Sequence, residues 1–137
     1  MDRATRGSGV EVTRTTDNQL KLVAPSDVAF EANGYALKPG LRGVLDPFAG
    51  LLAGDRGAQL TVVGHTDNRG PDAVNNPLSL DRAQSVRDYL VGRGLSPLQI
   101  RTEGRGAREP IADNASEAGR ARNRRVEIFL REQSTAG

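Results

Sequence analysis

The protein has 137 residues, of which 36% are hydrophobic and 26% charged, with a formal net charge of +2, no Cys, no Trp and one His. This length fits one domain, and the missing Cys excludes disulfides, thiolate nucleophiles and Cys-based metal clusters, while a single His argues against His-rich metal sites. Aromatic residues make up only 4%, which disfavours a base-stacking platform and leaves a binding module, or an enzyme that works without these groups.

The N-terminal part of the chain predicts a β-hairpin. Two short β-rich runs, Val10–Thr15 and Gln19–Val23, are separated by turn-forming residues at 16–18. The next apolar segment, Val28–Phe30, predicts a third, short strand, and the loop that follows it covers Glu31–Gly34.

The stretch from Pro39 to Ala53 predicts a helix, because its apolar residues recur at helical spacing. Gly43, Pro47 and Gly50 act against a regular helix. A proline in a helix interior costs about 3 kcal/mol. We therefore expect this helix to be kinked or shortened.

The centre of the chain predicts a strand followed by a second helix. Gln59–Thr66 alternates apolar and polar residues as a central strand does, and the turn-forming run Asp67–Pro71 ends it. Asn76 and Pro77 fit a helix N-cap and first helical position, and apolar residues continue at helical spacing from there to Gly92.

The C-terminal part predicts two strands separated by an irregular loop. The strands are Ile100–Gly106 and Arg124–Arg131, and the loop is Pro110–Gly119. Gly104 and Gly106 in the first of these strands indicate close packing of the backbone against a neighbouring element.

The order of these elements predicts an α+β fold, a mixed sheet with two main helices packed on one face. The domain covers residues 10–131. The polar ends, 1–9 and 132–137, are expected to be flexible tails.

Basic residues are concentrated between Arg82 and Arg131, where 11 Arg stand against 6 acids. Such a surplus is typical of a nucleic-acid surface, an anionic-ligand site or a solvated face. Acids interleave these arginines and aromatics do not accompany them, which disfavours nucleic acid as a partner. No run approaches the roughly 20 apolar residues of a membrane span, so we expect a cytosolic protein or the soluble part of an exported one.

Three polar clusters carry the candidate chemistry. Residues 64–70 (GHTDNRG) follow the central strand, where α/β sheets tend to hold ligands. Residues 75–83 open the next helix, where free N–H groups favour an anion, and residues 119–125 lead into the last strand. Because the first two clusters flank one tight loop, Asp67 and Arg82 are expected to face the same cleft.

These motifs also carry a family resemblance. GHTDNRG, NxxLSxxRA, RTEGRGAREPIADN and GRARNRRVEI resemble the C-terminal domain of OmpA-like proteins, shared by the Pal lipoprotein and flagellar-motor stator subunits, from about Val28 to Leu130. The resemblance implies a βαβαβ-type domain in the periplasm of a Gram-negative bacterium. It also implies noncovalent binding of peptidoglycan through the diaminopimelate residue of the stem peptide, an outer-membrane link through parts outside this chain, and no cofactor, metal or catalytic residue.

The resemblance further implies a paired acid and base at Asp67 and Arg82. The supporting ligand-binding positions map onto Phe30, Glu31, Asn75, Leu78 and Arg124. The chain departs from the family pattern at Glu31, where an Asp is usual, and at Val74, where an aromatic residue is often found.

The chemistry of this ligand fits an acid–base pair. The side chain of diaminopimelate ends in an ammonium and a carboxylate on one carbon. Asp67 is suited to accept hydrogen bonds from the ammonium, and Arg82 to bind the carboxylate with its guanidinium. Lysine-type peptidoglycan ends in an ammonium alone, so it would leave Arg82 unpaired and bind less well.

A hydrolase is the alternative that the residue types allow. His65, Asp67 and Ser79 could in principle form a catalytic set, but no nucleophile-elbow sequence surrounds Ser79. We expect His65 instead to form a structural hydrogen bond beside the sheet, and one or two arginines of the 119–125 cluster to form structural pairs.

Overall fold

The computed structural model describes residues 10–31, 34–55 and 57–131. Both expected tails, 1–9 and 132–137, lie outside the described residues. Among the described helices, none combines the length and the apolar character needed to cross a membrane. The elements in chain order are β1 (Glu11–Arg14), β2 (Leu20–Pro25), α1 (Ser26–Ala29), α2 (Pro39–Leu52), β3 (Gln59–His65), α3 (Asp72–Gly92), a 3₁₀ turn (Pro97–Gln99), β4 (Ile100–Gly104), α4 (Glu117–Asn123) and β5 (Arg125–Arg131).

The strands of the described chain form one mixed sheet in the order β1-β2-β5-β3-β4. Central β5 is antiparallel to β2 and β3, whereas β3 and β4 are parallel. β1 and β2 form the predicted hairpin, with Asn18 in the left-handed region of its turn at φ 67°. The strands predicted at 59–66, 100–106 and 124–131 are confirmed, with ends one or two residues shorter.

Strand alternation separates a helix-covered face of the sheet from a helix-free face. On the covered face, Leu60 of β3 lies beside Leu130 of β5, and Val62 lies beside Ile128. Burying an aliphatic side chain of this size contributes about 1.5–3 kcal/mol. Both main helices pack on this face, as predicted, because the same core cluster contains Leu41, Val44, Leu45 and Phe48 of α2 and Ala83, Val86 and Leu90 of α3.

The helix α3 lies directly against β3 and β4, since both strands have glycine at the points of contact. A Cβ on Gly64 would lie 2.0 Å from the Ser79 carbonyl oxygen, and one on Gly104 would lie 2.5 Å from the Leu80 backbone nitrogen. Gly106 has φ +54°, which L-residues with a side chain rarely adopt. The close packing predicted at Gly104 and Gly106 is confirmed, and it holds α3 beside the carboxyl ends of these strands.

Both main helices differ from the prediction at a proline. α2 runs without interruption from Pro39 to Leu52 through Pro47, so it is not shortened, because its buried apolar stripe offsets the lost backbone bond. α3 begins at Asp72 rather than at Pro77, which lies inside it. An acid in the first turn complements the helix dipole, and a proline so near the start removes only one hydrogen bond.

Two short helices were not predicted. α1 occupies the segment where a third strand was expected, and strand pairing there is reduced to one isolated bridge between Phe30 and Leu37. α4 follows the irregular loop, and its N-cap Ser116 accepts a hydrogen bond from the Gly119 N–H through Oγ at 3.0 Å. Serine at an N-cap satisfies one of the free donors of a helix start, which explains why a helix forms here.

Candidate functional site

The carboxyl end of β3 opens into a cleft with two adjoining cavities. One encloses about 370 Å³ and the other about 300 Å³, and Arg69, Arg82 and Arg124 line both. The structure brings all seven predicted site residues to this cleft. Those lining the first cavity are Asp67, Asn75, Leu78, Arg82 and Arg124, and Phe30 and Glu31 line the second together with the shared arginines.

Asp67 follows β3 directly and is buried, with 6% of its surface exposed. Its Oδ1 accepts a hydrogen bond from the Arg69 backbone N–H at 2.9 Å, which makes the turn that ends the strand. Its Oδ2 accepts from Arg124 Nη1 at 2.7 Å and from Arg69 Nε at 3.3 Å. Burial raises the pKa of Asp67, but the bonds from Arg124 and Arg69 outweigh it and the net pKa is lowered. Asp67 is therefore ionised at neutral pH.

Arg82 lies on the face of α3 toward the cleft and is 7% exposed. Its Nε donates to the Gly34 carbonyl oxygen at 2.8 Å, and its guanidinium carbon lies 5.3 Å from the centre of the Phe30 ring. Within the described residues it forms no ion pair with any carboxylate. Burial lowers the pKa of Arg82, and the charge of Asp27 opposes this only in part. Among the described residues, the cleft thus contains a buried cation that no carboxylate contacts directly.

Arg124 differs from Arg82 because it is surrounded by carboxylates. Its Nε and Nη2 donate to both oxygens of Asp27 at 3.0 and 2.9 Å, Nη1 donates to Asp67, and Nη2 also donates to Glu117 at 2.7 Å. These hydrogen bonds, led by that of Asp27, raise the pKa of Arg124 despite its burial. Arg124 is a fixed part of the cleft wall.

Asp27 and Glu117 are site residues that sequence reasoning missed. Asp27 precedes Arg124 by 97 residues, and no local pattern connects them. Glu117 had a weak signal, since it follows a serine that can cap a helix. Together they hold Arg124 in place beside Asp67.

The supporting residues shape the loop between β3 and α3. Asn75 is buried, and its Nδ2 donates to the carbonyl oxygens of Arg69 and Gly70 at 2.9 and 3.3 Å. Leu78 is half-buried on the same wall, whereas Glu31 is exposed at the outer rim. Asn75 therefore orients the loop that carries Asp67, and Leu78 supplies an apolar wall.

The residues of the hydrolase alternative do not come together. His65 lies on the helix-free face of the sheet, where its Nε2 is 2.9 Å from Glu127 Oε1, which is the structural hydrogen bond predicted for it. Ser79 lies in α3 on the opposite side of the sheet, and its Oγ accepts from the Gly106 N–H at 3.0 Å. The sheet separates this serine from the histidine that would have to activate it, while Asp67 is bound to arginines.

A metal centre has no support in the described part of the chain, where no three His, Asp or Glu side chains are grouped to hold an ion. The polar groups of the cleft are mainly guanidiniums facing carboxylates. Such an arrangement suits an organic ligand that carries both an acidic and a basic group.

Comparison with known proteins gives concordant results. Residues 29–124 match the model of the OmpA family. The chain is 41% identical over 125 residues to the probable lipoprotein YiaD of Escherichia coli K12, covering 91% of this chain and 57% of that protein. It is 43% identical over 111 residues to the peptidoglycan-binding protein ArfA of Mycobacterium tuberculosis H37Rv, covering 81% and 34%.

A solved structure agrees with these sequence relatives. The cell wall anchor of the T6SS from Pseudomonas aeruginosa superimposes with a TM-score of 0.81 at 32% identity, and the match covers 96% of each chain. The chain spans about half or less of the length of the two curated relatives named above.

Proposed function

Because the chain belongs to the OmpA family, we propose that it binds peptidoglycan noncovalently through the diaminopimelate residue of the stem peptide. In this role it anchors an envelope protein, and with it the outer membrane, to the cell wall. Two similar proteins support the proposal by their names, one as a peptidoglycan-binding protein and one as a cell wall anchor. The same proposal implies the periplasm of a Gram-negative bacterium as the location.

The observation that carries the proposal is Arg82, a buried cation that forms no ion pair with any described residue and lies beside a cavity of about 370 Å³. A buried charge is costly unless it is paired, so an anionic group of a ligand is the natural partner of this guanidinium. Ionised Asp67 lines the same cavity and is suited to a cation. A ligand head with one carboxylate and one ammonium matches both residues.

The contacts of Asp67 define how the ammonium enters. Arg124 is held by three carboxylates and is not easily displaced. Arg69 contacts Asp67 through a side chain that is 59% exposed, so its guanidinium is the weaker competitor. The ligand ammonium then takes the position of the Arg69 side chain on Asp67, and the ligand carboxylate binds Arg82.

Selectivity against lysine-type peptidoglycan follows from the same geometry. A lysine side chain has the ammonium that Asp67 accepts but no carboxylate for Arg82. Hydrogen bonds to charged groups contribute about 1.5–3 kcal/mol each. We expect a preference for diaminopimelate of roughly 10- to 100-fold.

A calorimetric titration of this chain with diaminopimelate-type and lysine-type stem peptides tests the proposal. We expect measurable binding for the diaminopimelate-type peptide only. Asp67→Ala and Arg82→Ala should each abolish this binding while leaving the circular dichroism spectrum of the fold unchanged. Arg42→Ala is the matched control, since Arg42 is exposed on α2 and lines neither cavity of the cleft. Equal affinity for the two peptides would exclude the role of Arg82, and binding that survives both substitutions would exclude the site.

A further inference from the structure

The helix-free face of the sheet has a groove at the end opposite to the cleft. Gln59 and Thr61 of β3 are on this face, next to Arg131 of β5 and Arg101 of β4 in the strand register. The groove encloses about 250 Å³. Gln59 and His65, at the two ends of β3, are six residue steps apart, which is about 20 Å along a strand, so this groove is distinct from the cleft.

Several polar groups of the groove have no partner within the described residues. The side chains of Gln59, Thr61 and Arg101 form no hydrogen bond or ion pair there. By contrast, Gln99 on the rim is engaged, because its Nε2 donates to the carbonyl oxygens of Asp55 and Ala58 at 2.7 and 2.9 Å. With respect to the described residues, the groove therefore contains a guanidinium, a hydroxyl and an amide side by side that have no protein partner.

Among the described residues that line the groove, the charged side chains are both basic. Arg101 forms no ion pair with a described residue, and the acid nearest on its face of β4, Glu103, is paired with Arg105. Arg131, in contrast, has its Nη2 3.4 Å from Asp17 Oδ2. The Asp17 carboxylate also accepts hydrogen bonds from Thr15 and Gln19. Two guanidiniums thus face one carboxylate that is already engaged, and an incoming anion would meet a net attraction led by Arg101.

The spacing of the two arginines suits one compact ligand. β4 and β5 lie on either side of β3, and Arg101 and Arg131 are offset by two residues along it, so their backbones are about 12 Å apart. The Arg131 Nη2 lies toward Asp17, on the side of β5 away from β3, so this arginine reaches an anion at Arg101 by turning away from Asp17. Gln59 and Thr61 lie between them and are suited to hydrogen-bond hydroxyl groups.

We propose that this groove is a second binding site, which takes an acidic sugar through its phosphate or carboxylate group. Arg101 binds the anion, Arg131 assists it, and Gln59 and Thr61 bind the ring hydroxyls. The site is independent of the cleft around Asp67 and Arg82.

A titration of the ¹⁵N-labelled chain followed by NMR tests this site. The probes are glucose 6-phosphate, glucuronate, inorganic phosphate and glucose, which separate the anion from the sugar and phosphate from carboxylate. We expect both acidic sugars to shift the amides of Gln59, Thr61 and Arg101, inorganic phosphate to bind more weakly, and glucose to shift none at the same concentration. Equal shifts with glucose, or phosphate binding as tightly as glucose 6-phosphate, would contradict the acidic-sugar assignment.

Substitutions in the groove, each compared with a control elsewhere, test where the acidic sugar binds. Arg101→Gln should weaken binding of glucose 6-phosphate about tenfold, whereas Arg42→Gln, which removes an exposed arginine on α2, should leave it unchanged. Asp17→Asn removes the like charge facing the ligand and should strengthen binding by about twofold. Shifts centred on the cleft, or equal losses in Arg101→Gln and Arg42→Gln, would overturn the proposal. Arg82→Ala, which tests the proposed peptidoglycan site, should leave this binding intact, so the two proposals fail separately.

Discussion

The cleft around Arg82 and the network around Arg125 both contain a buried arginine, but the two guanidiniums have opposite surroundings. Arg125 is 3% exposed, and its Nε donates to Glu127 at 3.0 Å while its terminal nitrogens donate to the carbonyl oxygens of Asn123 and Glu109. Arg82 is 7% exposed and has one carbonyl partner and the Phe30 ring.

This difference separates a structural arginine from one suited to a ligand. Every nitrogen of Arg125 has an acceptor within the protein, so the charge is compensated before any ligand arrives. Arg82 has terminal nitrogens without acceptors in the described chain. An incompletely compensated buried charge lowers stability, and under the proposed function the carboxylate of the ligand supplies the missing compensation.

Arg125→Met should have the largest effect on stability. It leaves the buried Glu127 carboxylate with His65 and Lys21 as its remaining partners. Removing one member of a buried pair costs about 3–5 kcal/mol. Urea denaturation measures the free energy of unfolding, and Arg122→Met, at an exposed position of α4, should change it by less than about 0.5 kcal/mol. Equal losses in the two variants would refute the network.

The second-largest expected effect is a loss of stability at low pH, when Glu127 in the same network becomes protonated. Burial raises the pKa of Glu127, but the hydrogen bond to His65 and the charge of Arg125 outweigh it and lower this pKa to about 2 from its ordinary value of 4.5. Since the folded-state pKa is the lower one, the stabilisation is complete above pH 4.5 and is lost as pH falls toward 2. The shift corresponds to about 3 kcal/mol.

Glu127→Gln isolates this contribution from other carboxylates. The difference in unfolding free energy between the original chain and Glu127→Gln should shrink as pH falls from 5 to 2. A difference that stays constant over this range would show that Glu127 does not titrate with stability.

Arg82→Met should give the contrasting result. Because the substitution removes a buried cation that forms no ion pair with the described residues, the free energy of unfolding should change by less than about 1 kcal/mol, despite burial similar to that of Arg125. Binding of the diaminopimelate-type peptide should nevertheless be lost. A stability loss as large as that of Arg125→Met would remove the distinction between the two regions.

The sequence predicted the five strands of the sheet, together with a further strand at Val28–Phe30 that the structure does not contain, and it placed both arginines in candidate clusters without predicting how they differ. Strand alternation and helical spacing are local patterns, so β3, β5 and the existence of both main helices could be inferred from neighbouring residues. The family resemblance marked Arg82, and Arg125 was only one of several arginines in a basic cluster. Which carboxylate meets which arginine depends on the topology, as the contact between Asp27 and Arg124 across 97 residues illustrates.

Prolines also led to errors in the predicted helix boundaries. Propensity assigns Pro77 to a helix start, yet α3 begins five residues earlier, at Asp72, where an acid in the first turn complements the helix dipole. The cost of one missing backbone bond is smaller than the gain from burying the helix face. Local preference was therefore overruled at the residues that precede the cleft.

Arg69→Ala is the smallest expected effect and the sharpest test of how the cleft accepts a cation. Arg69 Nη2 lies 3.2 Å from Asp67 Oδ2, but its side chain is 59% exposed, so this ion pair adds little to stability. If the ligand ammonium replaces that guanidinium, removing it should tighten binding of the diaminopimelate-type peptide by a few-fold, with unchanged stability. Calorimetry measures the change, and Arg42→Ala again serves as control. Weaker binding in Arg69→Ala would mean that Arg69 contacts the ligand rather than competing with it, and that the ammonium reaches Asp67 from another side.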